Sequence, residues 1–357
     1  MTATLSPIRR RDAASAAAPV WLDPSRPGPW RLCRVLVIPP YAGDFGWELM
    51  NWQARIRRLL RISRAERVLV FGAPDKRRLY EGGVVEYVPI EPPRLPGHAS
   101  DDRRVDDANQ GYAPHAVRDA VWEALAPLVR DGIAESGSGR INVLAPPYDG
   151  AMWPTTTGYQ DFVPLHNPVA ARDCERLIDV VLIPRTRTVA AERNRPAQWW
   201  SELSEALSRH ELSCHCAPPM LSRAAALFSH CRLAAGGSTG GLHLAALCGC
   251  PHYVWGSDDR SRWTAWNITN RQRYESLWNP LGTPVSYDPL GWKPGLQSVV
   301  DGIRRALDAI GRTRPGPVLN HGPLQRAARR VSVSLRVGGD AIRLPWRLRQ
   351  WLEQRSS

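Results

Sequence analysis

Three groups of residues in this chain have the types and spacing to do chemistry. The first is the glycine-rich stretch Gly236-Gly237-Ser238-Thr239-Gly240-Gly241-Leu242-His243, set between the apolar runs Cys231 to Ala235 and His252 to Trp255. A helix that begins on such a turn leaves its first backbone N–H groups without intrahelical acceptors, and those donors, aided by the helix dipole, hold an anion. Gly240 and Gly241 allow a diphosphate to approach closely, and the Ser238 and Thr239 hydroxyls can cap the helix or donate to phosphate oxygens. His243, one turn in, can reach a phosphate or a ribose, or can pack against the backbone instead. The second group is Asp44 and Glu48, four residues apart just after a short apolar run. Either carboxylate can take a proton from a hydroxyl if its pocket raises its pKa; the alternative is an N-cap and a first-turn acid that favour the helix dipole. The third is Arg185, Arg187, Arg193 and Asn194, following Val180-Val181-Leu182-Ile183-Pro184, where spaced guanidinium groups can clamp a phosphate from the opposite side.

These groups need rigid elements beneath them, and the apolar patterning predicts those elements. Strands are expected at residues 34–39, 68–71, 84–88, 141–145, 180–184, 211–216, 231–235 and 252–255. Helices are expected through about Leu60, over Ala113 to Arg130 with Val117, Val121, Leu125 and Leu128 on one face, from Pro196 through Ser208, over Leu221 to His230, and from Gly295 to Ile310. Strands alternating with helices imply parallel sheets, whose ligands bind beyond the carboxyl ends of the strands. Both the Asp44 loop and the glycine turn fall at such ends.

The run Ser238-Thr239-Gly240-Gly241-Leu242-His243-Leu244-Ala245-Ala246-Leu247, followed by Gly249-Cys250-Pro251, resembles the donor-site signature of GT-B glycosyltransferases. It is most similar to the lipopolysaccharide heptosyltransferase-like (glycosyltransferase family 9-like) group, whose pattern runs Asp/Asn-Ser-Gly-Pro-Met-His-Leu-Ala-Ala-Ala-Leu-Gly-x-Pro. Thr239 and Gly241 depart from it. Gly43-Asp44 matches the Gly-Asp pair after that group's first strand, where the Asp is the proposed base; Phe45-Gly46-Trp47-Glu48-Leu49 departs from the aliphatic residues usual there, which brings in Glu48 as a second candidate. The resemblance implies an α/β chain of two Rossmann-like domains of GT-B type with a cleft between them. Residues 33–165 would hold an acceptor and 166–311 a nucleotide-diphosphate sugar, between a disordered basic extension at 1–32 and a basic C-terminal extension at 312–357. It implies a glycosyltransferase needing neither metal nor cofactor and inverting by single displacement, with Asp44 or Glu48 catalytic and Arg185, Arg187, Arg193, Asn194, Ser238, Thr239, Gly240, Gly241 and His243 on the donor. The acceptor would be a glycan, a lipid-linked glycan or a natural product.

Composition narrows the alternatives. At 357 residues and 43% hydrophobic content, the chain can bury two substantial cores, and no apolar run is long enough to span a bilayer. The net charge of +13 invites a nucleic-acid reading, so its location matters. Residues 1–34 carry six arginines against Asp12 and Asp23, and residues 312–357 carry ten against Asp340 and Glu353, which leaves the body nearly neutral. Basic ends suit the anionic inner face of a membrane, an acidic partner, or simple solubilisation of the chain better than nucleic acid, and no nucleic-acid module stands in the body. Seven cysteines, an odd number without a secretory signal, argue for reduced thiols in a cytoplasmic protein. Cys214-His215-Cys216 lacks zinc spacing and alternates along an expected strand. The acidic pairs Asp101-Asp102 and Asp106-Asp107 are flanked by arginine and read as a solvated loop, while residues 146–168 read as a link between halves, with Trp153, Tyr159 and Phe162 able to stack on a sugar and His166 able to act as acid or base. Three rivals remain: a GT-B-shaped sugar-nucleotide epimerase, a pyruvyl transferase, and a non-catalytic binding protein working through its basic tails.

Overall fold

A computed structural model describes residues 19–22, 33–41, 45–80, 85–90, 119, 122–129, 141–144, 162, 164–165, 178–186, 191–257, 262–263, 268–277 and 279–311. Asp44, Arg187, residues 91–112, Trp153, Tyr159, His166 and residues 312–357 lie outside the described residues.

The first sheet contains β1 (Val20–Leu22), β2 (Val35–Ile38), β3 (Arg67–Gly72), β4 (Val85–Pro89) and β5 (Asn142–Leu144), in spatial order β1-β5-β2-β3-β4 and parallel throughout. Strands buried on both faces read as unbroken apolar runs, which is how Val35-Leu36-Val37-Ile38 and Val68-Leu69-Val70-Phe71 read. Alternate residues go to opposite faces. Leu36, Ile38, Val68 and Val70 meet Leu49, Trp52 and Ile56 of helix α1 (residues 45–62), while Val37, Leu69, Phe71 and Val143 meet Leu125 and Val129 of helix α2 (residues 122–129). Each Leu or Ile buried in this way contributes about 1.5–3 kcal/mol.

Two expectations change here. Leu128 is 44% exposed and Val129 is buried, so the inward row of α2 is the i, i+4 pair Leu125 and Val129. Part of the segment read as a disordered extension belongs to the sheet, because Val20–Leu22 pairs with β5 and buries Leu22.

The second sheet contains β6 (Ile178–Ile183), β7 (Cys214–Cys216), β8 (Cys231–Gly237), β9 (His252–Trp255) and β12 (Val285–Asp288), in order β12-β9-β8-β6-β7, again all parallel. On one face, helices α3 (Ala197–Ser208) and α7 (Leu296–Ile310) cover Val180, Leu182, Leu233 and Ala235, with Trp199, Trp200 and Trp255 packed at ring-centroid distances of 5.1–6.0 Å. On the other face, α4 (Leu221–Phe228) and α5 (Gly240–Leu247) cover Val181, Ile183, Ala234 and Val254. Because α3 leaves β6 for one face and α5 leaves β8 for the other, the order in which strands are added reverses between these two neighbours, and a crevice opens at their carboxyl ends. A two-stranded antiparallel ribbon, β10 (Arg262–Trp263) with β11 (Ile268–Thr269), leads into helix α6, α-helical over Asn270–Gln272 and π-helical over Arg273–Leu277. Neither α6 nor β12 was read from the sequence.

The two sheets meet through helices. Helix α1 runs as Phe45–Trp47, a π-helical turn Glu48–Trp52, and Gln53–Ile62. Its apolar side belongs to the same continuous core as α4 and α5. Across this seam the Asp75 carboxylate accepts a 3.1 Å hydrogen bond from the Leu221 amide at the start of α4, whose N-cap Met220 supplies none, and the Leu165 amide donates to Leu247 O at 2.8 Å.

Candidate functional site

The corner between β8 and α5 lies on this seam. Strand β8 ends on Gly236 and Gly237, packed close to Ile183 and Trp255, and Gly241 touches Ile183 so closely that a Cβ there would stand 2.7 Å from Ile183 Cγ2. Only glycine lets the start of the helix settle onto β6. A Cβ on Gly240 would lie 3.0 Å from the Gly46 amide nitrogen and 3.2 Å from the Phe45 ring, so the beginning of α5 abuts the beginning of α1. The two sequence stretches expected to carry chemistry are therefore neighbours in space.

The end of α5 is not capped from within. Thr239, its N-cap, has extended backbone at φ −154° and makes no side-chain cap bond. Gly240 and Gly241 are partly exposed, and an α-helix offers its first amides no internal acceptor. Ser238 and Thr239 are held from the side by α6. The Thr239 amide donates to Tyr274 Oη at 2.9 Å, the Tyr274 hydroxyl donates to Ser238 Oγ at 3.1 Å, and the Arg273 guanidinium also donates to Ser238 Oγ. Arg273 is only 5% exposed.

His243 lies beneath this corner, 2% exposed and stacked on Tyr274 with ring centroids 4.6 Å apart. Burial, reinforced by the charges of Arg273 and His252, pushes its pKa well below the ordinary histidine value. His252, also buried, is pushed down to about 4 by desolvation. Both rings are neutral at pH 7, so the positive charge at this corner is that of Arg273 and the helix dipole.

On the α1 side, Glu48 sits in the π-helical turn with 2% exposure. Its Oε2 pairs with the Lys76 ammonium and its Oε1 accepts the Tyr80 hydroxyl at 2.8 Å. Lys76 Nζ in turn lies 5.5 Å from the centroid of the Phe45 ring. Burial, then Glu48, raises the Tyr80 pKa well above normal, so Tyr80 stays a donor. Also on this turn, Asn51 is 1% exposed, and neither its Oδ1 nor its Nδ2 has a hydrogen-bond partner among the described residues. Such π-helical insertions recur at functional sites.

The arginine loop divides. Arg185, 7% exposed, directs its guanidinium to Asn194 Oδ1 at the end of β6. Arg193 stacks 3.9 Å over the Trp292 ring, which places it toward the β9 and β12 side of the sheet. Arg195 lies 4.6 Å over Trp199 and donates to Pro294 O. Beside the loop, a cavity of about 560 Å³ lies between the end of β6, the start of α3 and Cys216, lined by Thr186, Arg195, Trp200, Ser201, Ser204 and Glu205 among others.

Sequence reasoning missed Arg273, Tyr274, Lys76, Tyr80 and Asn51. A signal existed for the first two: Thr269 and Gln272 form a capping box, a pattern that marks a helix start just before Arg273. Lys76 is one of only two lysines in an arginine-rich chain. Among the described residues no group of three or more His, Cys, Asp or Glu is placed to hold a metal ion, and no helix is long and apolar enough to cross a membrane.

No protein-family model and no curated protein matches this chain. Solved structures do. A glycosyl transferase family 9 protein from Veillonella parvula aligns over 78% of this chain and 98% of its own, with 9% identity and a TM-score of 0.44. The ADP-heptose lipopolysaccharide heptosyltransferase II of E. coli covers 77% and 99%, with 14% identity and a TM-score of 0.41. The E. coli heptosyltransferase WaaC with ADP covers 78% and 100%, with 13% identity and a TM-score of 0.36. At these identities and scores no residue role passes from them to this chain.

Proposed function

We propose that this chain is a GT-B glycosyltransferase that moves a sugar from a nucleotide-diphosphate donor to an acceptor hydroxyl without a metal, with inversion at the anomeric carbon. The observation that carries this reading is the uncapped start of α5, whose glycines lie at the strand-end crevice with Gly240 against Gly46 of α1. The diphosphate sits on the amides of Gly240 and Gly241 with Ser238 and Thr239, and Arg185, aligned by Asn194, approaches from the end of β6. Arg187 and Arg193 complete the clamp in this reading. His243 supports the corner from below through its stack on Tyr274. The nucleoside enters the cavity beside α3, where the hydroxyls of Thr186, Ser201 and Ser204 and the carboxylate of Glu205 match a ribose diol.

The leaving diphosphate gathers negative charge as the glycosidic bond to it breaks. Fixed amides and guanidinium groups meet that charge without reorganising, the role a metal plays elsewhere. On the opposite side, a carboxylate removes the acceptor proton as its oxygen attacks the anomeric carbon. Asp44 is the better base of the two candidates, because both oxygens of Glu48 are already engaged by Lys76 and Tyr80. Glu48 then fixes the Lys76 charge next to α1, where an anionic acceptor group can meet it. Residues 33–165 would thus form the acceptor half and 166–311 the donor half, and the acceptor is a glycan or lipid-linked glycan at the cytoplasmic face of a membrane.

The test is a panel of UDP-, GDP-, ADP-, CMP- and dTDP-sugars in a thermal-shift assay, followed by turnover of the hit with and without acceptor. One nucleotide class should raise the melting temperature by several degrees, as ligand at about 100 times Kd adds about 2.7 kcal/mol to stability. Release of free nucleotide should require acceptor. Conversion of the sugar without acceptor would identify an epimerase instead, and no shift with any of the panel would contradict the reading.

A further inference from the structure

Beside the backbone amides at the start of α5 lies a buried side-chain hydroxyl, that of Ser238. Ser238 is 8% exposed, and its Oγ accepts from two donors, the Arg273 guanidinium and the Tyr274 hydroxyl at 3.1 Å. A hydroxyl has two acceptor sites and one proton to give. With both acceptor sites taken, the Ser238 proton is directed away from α6. The guanidinium also polarises the O–H bond, and hydrogen bonds from such a group are stronger in a low-dielectric setting. The Tyr274 hydroxyl has a second acceptor in Thr239 O at 3.4 Å, but Ser238 Oγ is nearer at 3.1 Å, and the His243 stack together with the Thr239 amide at 2.9 Å holds the phenol beside Ser238. The segment itself is fixed at its start by the Thr269–Gln272 capping box and by the Asn270 side-chain amide donating to Ser257 Oγ.

We propose that Arg273 and Tyr274 are positioning residues that make Ser238 a committed hydrogen-bond donor to a diphosphate oxygen at the mouth of α5. This rests on reading that corner as the diphosphate site. Arg273 acts through Ser238, delivering its charge to the anion by way of the hydroxyl, so a helix of the donor half that follows the β10–β11 ribbon completes the cradle formed by the glycine turn. A nucleoside monophosphate, with no second phosphate to span from the Gly240 and Gly241 amides to Ser238, gains less from this device than a diphosphate.

The experiment is calorimetric titration of the full chain with inorganic pyrophosphate, the chemistry shared by every nucleoside diphosphate. Wild type is compared with Ser238→Ala, Arg273→Gln, Arg273→Lys, Tyr274→Phe and the double variant Ser238→Ala/Arg273→Gln. Ser238→Ala and Arg273→Gln should each weaken binding by roughly tenfold, Tyr274→Phe by severalfold, and Arg273→Lys should recover part of the loss. The double variant should bind no worse than Ser238→Ala, because the arginine acts through that hydroxyl. Melting temperatures are recorded alongside, so that a variant that merely unfolds is recognised and replaced in the comparison by Arg273→Lys. Full pyrophosphate affinity in Arg273→Gln, additive losses in the double variant, or no pyrophosphate binding by wild type would overturn the proposal. Coupled losses together with no sugar-nucleotide turnover would leave this device standing and remove the glycosyltransferase reading. Turnover with uncoupled losses would do the reverse.

Discussion

Glu48 and Asp44 compete for one role in the sequence, and the surroundings of Glu48 separate them. A carboxylate whose two oxygens hold an ammonium and a phenol is already spent, and taking a proton from an acceptor would mean releasing one of them. Breaking a buried ion pair by removing one partner costs about 3–5 kcal/mol, less here because the Lys76 side chain keeps 21% exposure. Glu48→Gln is accordingly expected to lower stability by a few kcal/mol in urea unfolding, with Glu48→Gln/Lys76→Met less damaged than the sum of the single variants. Asp44→Asn should leave stability within about 0.5 kcal/mol and reduce turnover about 10²–10⁴-fold. The opposite pattern, with stability lost at Asp44 and turnover alone lost at Glu48, would return Glu48 to the catalytic position.

Helical elements place these residues, and they were unevenly legible. The apolar runs of β2, β3, β6, β8 and β9 announced themselves because strands covered on both faces carry little polar interruption. The glycine corner was readable too, because a run of small residues between two apolar runs marks a strand-to-helix turn open to an anion. Partners distant in sequence were not. Nothing in Pro74–Leu79 says that Asp75 reaches the start of α4 or that Lys76 reaches Glu48, because those contacts exist only once two elements have packed. The π-helical turn Glu48–Trp52 was equally invisible, as five residues are too few for their spacing to tell one kind of helical turn from another. That turn holds Asn51, whose buried amide has no partner at either end among the described residues. Leaving such groups unsatisfied costs about 1–3 kcal/mol. Asn51→Leu, which keeps the branched shape and removes the amide, should therefore raise the melting temperature while reducing turnover. A variant neither more stable nor less active would show that this amide does nothing at the seam.

At the scale of the molecule, the two sheets share one apolar core through α1, α4 and α5, so the stability of the corner and of the fold are linked. Buried histidines set one dependence on pH. His252, whose pKa is pushed down to about 4 by burial, stays neutral in the folded chain while its unfolded counterpart gains a proton near pH 6.5. The unfolded state binds more protons through that window, so stability falls as pH drops from 7 to 5, by about 2 kcal/mol for this residue. His243 acts in the same direction. Urea unfolding at pH 7 and pH 5 should show this loss, and His252→Gln should remove its share; an unchanged pH slope in that variant would mean the ring is not neutral in the fold. Most of the +13 charge lies in the basic ends, of which residues 1–18, 23–32 and 312–357 are outside the described residues, and vesicle binding in low and high salt tests whether they touch an anionic membrane.

The most direct measurement is a crystal soaked with whichever nucleoside diphosphate gives the largest thermal shift. The expected difference density places phosphate oxygens about 3 Å from the amide nitrogens of Gly240 and Gly241 and from Ser238 Oγ, with the β-phosphate turned toward α1. A nucleotide bound with its phosphates away from the start of α5, for example wholly within the cavity beside α3, would contradict the claim that this corner holds the leaving group.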